Sequence, residues 1–156
     1  MRIISHRGNL YGPGKNENIP KFIDICLENN FDCEIDLWYQ FGRLKLGHDA
    51  GEHEIDMSWL NARKDYLWVH CKNSDAISLL SRHSEKTLNF FWHEQDAYTI
   101  TSNNKLWTYP GENLIPDSVA VLPELWFEEG MVSEIMKCYA VCTDFPFKFK
   151  DLLKVN

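Results

Sequence analysis

Apolar side chains along this chain fall into short runs separated by polar stretches. Eight runs have the length and composition of buried strands: 2–6, 31–37, 66–72, 89–93, 98–102, 105–109, 118–122 and 138–143. Between the first two, Ile19, Phe22, Ile23, Cys26 and Leu27 recur at helical spacing with Pro20 in the first turn, completing a β-α-β unit. Ser74 or Asp75 can cap a helix carrying Ile77, Leu79 and Leu80, and further helices are expected over 125–137 and 147–155. From 90 to 109 three strand-like runs follow one another with only loops such as Ser102-Asn103-Asn104 between them, so crossover helices are missing there. Eight strands suit a closed barrel. The pattern predicts one with uneven helical cover, and an incomplete or distorted barrel is the alternative.

At 156 residues and 44% hydrophobic content the chain makes one globular domain, 1–156, without room for a second. Sixteen Lys and Arg against 23 Asp and Glu leave a net charge of -7, which argues against a general binder of nucleic acid or anionic membrane. Any phosphate affinity must be local. No run approaches the length of a membrane span, and the residues before His6 are too few for a signal peptide, so a soluble, cytoplasmic protein is expected. Five cysteines (Cys26, Cys33, Cys71, Cys138, Cys142) form no CxxC pair and sit in apolar runs, which predicts buried free thiols rather than a metal site.

Polar groups close several of these runs in the first third of the chain: His6-Arg7-Gly8, then Glu17-Asn18, Glu34-Ile35-Asp36 and Gly47-His48-Asp49. Glu34 and Asp36 lie two apart on a strand and share a face, where hard carboxylate oxygens can hold Mg²⁺ or Ca²⁺. Two imidazoles, His6 and His48, can act as general acid and base, and Arg7 offers a planar fork of donors to phosphate oxygens. Such a set suits phosphodiester cleavage, which must neutralise an anion and move two protons. Each motif alone has a structural explanation, as a solvated rim, a surface pair or a turn. Their joint order at strand ends favours chemistry.

In order and interval these motifs resemble the signature of the glycerophosphodiester phosphodiesterase family, HRG, EN, ExD and then HD, within the phospholipase C-like phosphodiesterase superfamily. The resemblance implies a reduced TIM-type (β/α)8 barrel with some crossover helices missing, a short member lacking the insertion that usually follows HD. It implies a small phosphodiester as substrate, with His6 and His48 catalytic, Arg7, Asn18 and Lys72 holding the phosphate, and one divalent cation. Family members usually end the third strand with ExK; here it reads His70-Cys71-Lys72, so Lys72 matches and His70 replaces the acid. With Glu34, Asp36 and His70 as ligands, the Mg²⁺ or Ca²⁺ implied by the family gives way to a preference for Mn²⁺, Zn²⁺ or Fe²⁺. A core or rim histidine with no ligand role is an equally open reading of His70, and Glu94 is a candidate for the missing carboxylate. Thr143-Asp144-Phe145-Pro146 resembles the family's late TDxP run, where Asp144 either orients a site group or, the safer reading, caps the last helix. Trp38, Trp92 and Trp107 near strand ends could face a ligand or fill the core. The implied reaction is hydrolysis, or attack by a neighbouring hydroxyl to give a cyclic phosphate as in the sphingomyelinase D type of enzyme. The alternative is a catalytically silent barrel that binds a phosphorylated ligand or a protein partner.

Overall fold

The computed structural model describes residues 1–82, 88–126 and 128–155. The first half contains β1 (Arg2–His6), α1 (Pro20–Glu28), β2 (Asp32–Gln40), β3 (Arg43–Leu46), β4 (His53–Ile55), α2 (Met57–Arg63), β5 (Leu67–Cys71) and α3 (Ser74–Arg82). The second half contains β6 (Asn89–Phe91), β7 (Tyr98–Ile100), β8 (Leu106–Thr108), β9 (Val119–Val121), α4 (Val132–Ile135), β10 (Ala140–Thr143) and α5 (Pro146–Leu153). Seven strands run parallel in the order β6-β5-β2-β1-β10-β9-β8. β7 pairs antiparallel with β8, and the β3–β4 hairpin continues antiparallel from the outer half of β2.

The central strands read as near-continuous apolar runs because parallel strands are covered on both faces. On one side Ile23 of α1 and Ala76 and Leu80 of α3 pack with Ile35, Leu37 and Val69. A second cluster joins Phe149 of α5 to Ile3 and Val141, and a third, inside the curl of the sheet, stacks Ile4, Trp68, Phe91, Trp107 and Val121.

The expected closed (β/α)8 barrel is not what forms. The chain folds as an open, mixed ten-stranded sheet with five short helices, and among the described residues no ladder joins β6 to β7 or β8. Curling brings the two edges close: Ser102 N donates to Phe90 O at 2.8 Å, and the rings of Phe91 and Trp107 lie 4.6 Å apart. Beyond that one backbone bond, contact there is made by side chains, with Ser102 Oγ accepting from Phe90 N at 2.9 Å and Thr99 Oγ1 donating to Trp92 O at 3.0 Å. The physical reason is that β6, β7, β8 and β9 have three residues each, and β7 turns back on β8 instead of crossing over through a helix. Strands that short offer too few ladder bonds to complete a ring.

All eight expected strands form, most of them shorter by a residue or two at an end. The sequence reading missed β3, β4 and α2, and α2 is capped by Asp56, whose carboxylate accepts from Trp59 N at 2.8 Å. The helix expected over 125–137 breaks into 3-10 turns at Pro123–Leu125 and Glu129–Met131 followed by α4, with residue 127 outside the described residues. All five cysteines are free and buried, as expected. Among the described residues no helix is long and apolar enough to cross a membrane.

Candidate active site

Strand register gathers the site. His6 at the end of β1 lies opposite Glu34 on β2, and Asp36 lies opposite His70 on β5. Residues two apart share a face, so Glu34 and Asp36 converge with His70 and Lys72 at the carboxyl ends of the parallel strands, where open α/β sheets form their crevice. The chain leaves β1 through Arg7 (φ 54°) and Gly8 (φ 84°), both left-handed, a conformation glycine adopts without strain. Asn9 N donating to His6 O at 3.0 Å and Ser5 Oγ donating to Asn9 O at 2.7 Å tie that turn down. A cavity of about 450 Å³ opens there, and His6, Arg7, Glu34, His48, His70 and Lys72 all line it.

Glu34 and Asp36 are buried, at 2% and 0% exposure, and Glu34 Oε2 and Asp36 Oδ1 have no hydrogen-bond partner. One atom each from Glu34, Asp36 and His70 lie within 4.8 Å of one another, a set that can hold a metal ion. His70 Nδ1 is 3.2 Å from Asp36 Oδ1 and 3.8 Å from Glu34 Oε1. Lys72 Nζ stands 3.4 Å from Asp36 Oδ1, and Arg7 Nε 2.8 Å from Asp36 Oδ2. Burial alone would raise Asp36, but the adjacent His70 ring and the charges of Arg7 and Lys72 outweigh it and hold this carboxyl far below its ordinary value. Glu34 goes the other way, raised by burial and by the charge of Asp36. Two orphaned buried carboxylate oxygens beside an imidazole nitrogen fit a divalent cation.

Asn18, expected at the phosphate, is placed elsewhere. Its amide donates to Asp36 Oδ2 at 2.9 Å and accepts from Asp36 N at 2.9 Å, so it clamps the carboxylate from behind and does not line the cavity. Its backbone N–H donates to Arg7 O at 2.9 Å, so Asn18 also ties down the turn after β1.

Asp144 does not cap the last helix: α5 begins after Phe145, with no side-chain cap. It accepts instead from His6 Nδ1 at 2.8 Å and from Asn9 Nδ2 at 2.7 Å. Burial lowers His6, but the Asp144 hydrogen bond and the Glu34 charge prevail and raise it above its ordinary value. Asn9 was not singled out by sequence, yet its amide also donates to Glu17 Oε1 at 3.0 Å, while Glu17 Oε2 accepts from Arg7 at 3.1 Å. Glu124, also missed, receives Thr143 Oγ1 at 2.9 Å and Asp144 N at 2.6 Å and so fixes the aspartate's backbone.

His48 sits at the rim, 44% exposed, with Nδ1 donating to Asp49 Oδ1 at 2.6 Å. Gly47 before it has φ 149°, and a Cβ there would collide with Ala50 O, so only glycine makes the turn that presents His48. Trp38 fastens the same turn by donating to Gly47 O at 2.7 Å. Trp107 is core, at 4% exposure, and also lines the cavity, to which Trp92, Tyr109, Val121 and Leu122 add further apolar lining. Glu94 lines the exposed rim and is outside the Glu34, Asp36 and His70 cluster. Comparison with protein-family models, with curated proteins and with solved structures finds no match to this chain.

Proposed function

We propose that this protein is a metal-dependent phosphodiester hydrolase of the glycerophosphodiester phosphodiesterase kind that its motifs resemble. The observation that carries this reading is one cavity lined by two carboxylate-tethered imidazoles, two cations, Glu34 and His70, with the buried Asp36 grouped beside the last two. Arg7 and Lys72 bind the non-bridging phosphate oxygens. The Arg7 guanidinium is held by Glu17 and Asp36, so its fork is oriented before substrate arrives.

His6 and His48 each direct Nδ1–H to an aspartate, which leaves Nε2 to exchange protons in the cavity. One takes the proton of the nucleophilic hydroxyl and the other protonates the leaving alkoxide. Glu34, Asp36 and His70 are the residues to hold a divalent cation, whose charge would polarise a phosphoryl oxygen and ease deprotonation of the nucleophile. The net charge of -7 favours a small phosphodiester over nucleic acid, and buried free thiols suit a reducing compartment such as the cytoplasm.

The test is hydrolysis of an aryl phosphodiester and of glycerophosphocholine with Mg²⁺, Ca²⁺, Mn²⁺ and Zn²⁺ in turn, alongside His6→Ala and His48→Ala. Metal-dependent turnover in the wild type and its loss in both folded variants is expected, with product analysis separating hydrolysis from cyclic-phosphate release. If every substrate and metal leaves the folded wild type inactive while phosphate still raises its Tm, the domain binds phosphorylated ligands without cleaving them.

A further inference from the structure

Strand order divides the lining of the cavity by chemistry. Its charged groups come from the middle of the sheet, with His6 and Arg7 at the end of β1, Glu34 on β2, and His70 and Lys72 at the end of β5. Its apolar groups come from the two ends of the parallel row: Trp92 after β6, Trp107, Tyr109 and Pro110 on and after β8, and Val121 and Leu122 at the end of β9. The curl of the sheet unites those ends, with the rings of Phe91 and Trp107 4.6 Å apart and β8 paired to β9, so the apolar residues gather in one sector. The titratable side chains that the same strand ends add to the lining are His93, Glu94 and Tyr109. Glu94 is on the exposed rim, and the His93 and Tyr109 rings pack on each other with centroids 5.2 Å apart. A group seated in this sector meets mainly hydrocarbon and ring carbon.

That lining does not suit a glycerol group, because a hydroxyl moved onto hydrocarbon gives up its bonds to water without gaining a partner. It does not suit a quaternary cation either, which needs open ring faces. Trp107 packs against Phe91 and Trp68, Tyr109 against His93, and Pro110, Val121 and Leu122 have no aromatic face to give. Arg7 and Lys72 moreover already place positive charge in the cavity. An uncharged apolar group exchanges water for these contacts at no such loss. Size sets the limit: at water's share of about 30 Å³, the cavity of about 450 Å³ holds roughly 15 heavy atoms, of which a phosphate takes five. About ten remain, enough for a ring or a short branched chain and too few for a long acyl chain.

We propose that one alcohol substituent of the substrate is an uncharged aryl or branched alkyl group, seated against Trp92, Tyr109, Val121 and Leu122 while its phosphate meets Arg7 and Lys72. The proposal rests on the phosphodiesterase reading above and names the substrate class. It is tested on the full-length protein by calorimetry, with and without Mn²⁺, using benzyl phosphate, glycerol 3-phosphate, phosphocholine and inorganic phosphate as probes. Leu122→Asn and Trp92→Ala change the sector alone; Leu122 has φ 45°, which asparagine tolerates, so the first swap makes the lining polar and leaves the backbone in place. Folding of both is checked by circular dichroism. Benzyl phosphate should bind at least about tenfold more tightly than glycerol 3-phosphate or phosphocholine, and each substitution should weaken it by about tenfold while inorganic phosphate binds as before. Equal or absent binding of the three esters, a preference for glycerol 3-phosphate or phosphocholine, or an equal loss of inorganic phosphate in both folded variants overturns the proposal. Turnover of benzyl methyl phosphate and glyceryl methyl phosphate, followed by phosphorus NMR, separates this from the reading beneath it. Cleavage of both diesters at equal rates with no preference in binding keeps the hydrolase and removes the apolar subsite, whereas preferred binding of benzyl phosphate without cleavage of either diester keeps the subsite and removes the hydrolase.

Discussion

Replacing Asn18 with alanine tests whether this residue serves the carboxylate or the phosphate. Asn18 is 1% exposed, and both ends of its amide are engaged by Asp36, at 2.9 Å each. The bond it donates to the charged carboxylate is worth about 1.5–3 kcal/mol, and the Asp36 N–H left unsatisfied in the interior costs about 1–3 kcal/mol more. Asn18 also has φ 60°, where alanine is strained by about 1 kcal/mol relative to glycine. Allowing for non-additivity between touching groups, the loss is about 3–6 kcal/mol, a Tm lower by roughly 6–24 °C for a domain of this size. Asn18→Gly removes the amide but accepts the backbone angle, so it should recover about 1 kcal/mol of that loss. A loosened Asp36 should also weaken metal binding by about 10- to 100-fold. Thermal denaturation with and without metal, metal affinity by competition, and KM on a phosphodiester separate the two roles. If Asn18→Ala melts within about 2 °C of wild type and binds metal normally, but raises KM, the amide serves the phosphate and the clamp argument is refuted.

Asp144→Asn should lower kcat by about 10²–10⁴-fold with little change in KM, because it removes the group that fixes the His6 tautomer; a changed Tm with unchanged kcat would mark a purely structural residue. Asp144 lies below the ordinary carboxylate value: burial raises it, but the His6 hydrogen bond outweighs burial. A carboxyl with a depressed folded pKa contributes stability that is complete above its unfolded value of about 3.9 and is lost as pH falls through the folded value. Melts should therefore show the gap between wild type and Asp144→Asn widest near pH 5–6 and narrowing toward pH 3 and below, and a constant gap would mean that the charge is not what stabilises. Arg7→Lys keeps the charge but loses the fork to Glu17 and Asp36, so KM should rise at least about tenfold; an unchanged KM would take Arg7 off the phosphate. Trp107→Ala should cost about 3–5 kcal/mol, because the ring fills the core between Phe91 and Trp68, and a marginal change in Tm would identify it as a ligand platform instead.

Much of the fold was legible because buried parallel strands announce themselves as apolar runs, and each of the eight expected runs became a strand. The β2–β3 hairpin left a fainter signal, the alternation Arg43-Leu44-Lys45-Leu46 after Phe41 and Gly42, whose φ of 52° and 76° make the hairpin turn between Gln40 and Arg43. Asp56 ahead of Met57-Ser58-Trp59 was a readable helix cap that marks α2. Barrel closure left no local signal at all. It depends on whether strands of three residues at the two ends of the sheet can form a ladder, and counting strands says nothing of that.

The candidate site divides along the same line. Sequence alone determined which side chains could do the chemistry, because a two-residue strand period puts Glu34 and Asp36 on one face whatever the rest of the chain does. Tertiary structure decided what those side chains answer to. His6 meets Asp144 across 138 residues only because β10 pairs with β1 in register, Ser5 beside Thr143. Asn9 took its role from the same pairing, Asn18 from β2 lying beside β1 and Glu124 from β9 beside β10, and the His93 carbonyl that accepts from His70 Nε2 was brought in by β6 lying against β5. Periodicity is a property of neighbouring residues and can be read from them; register between distant strands is settled only when the whole sheet is packed.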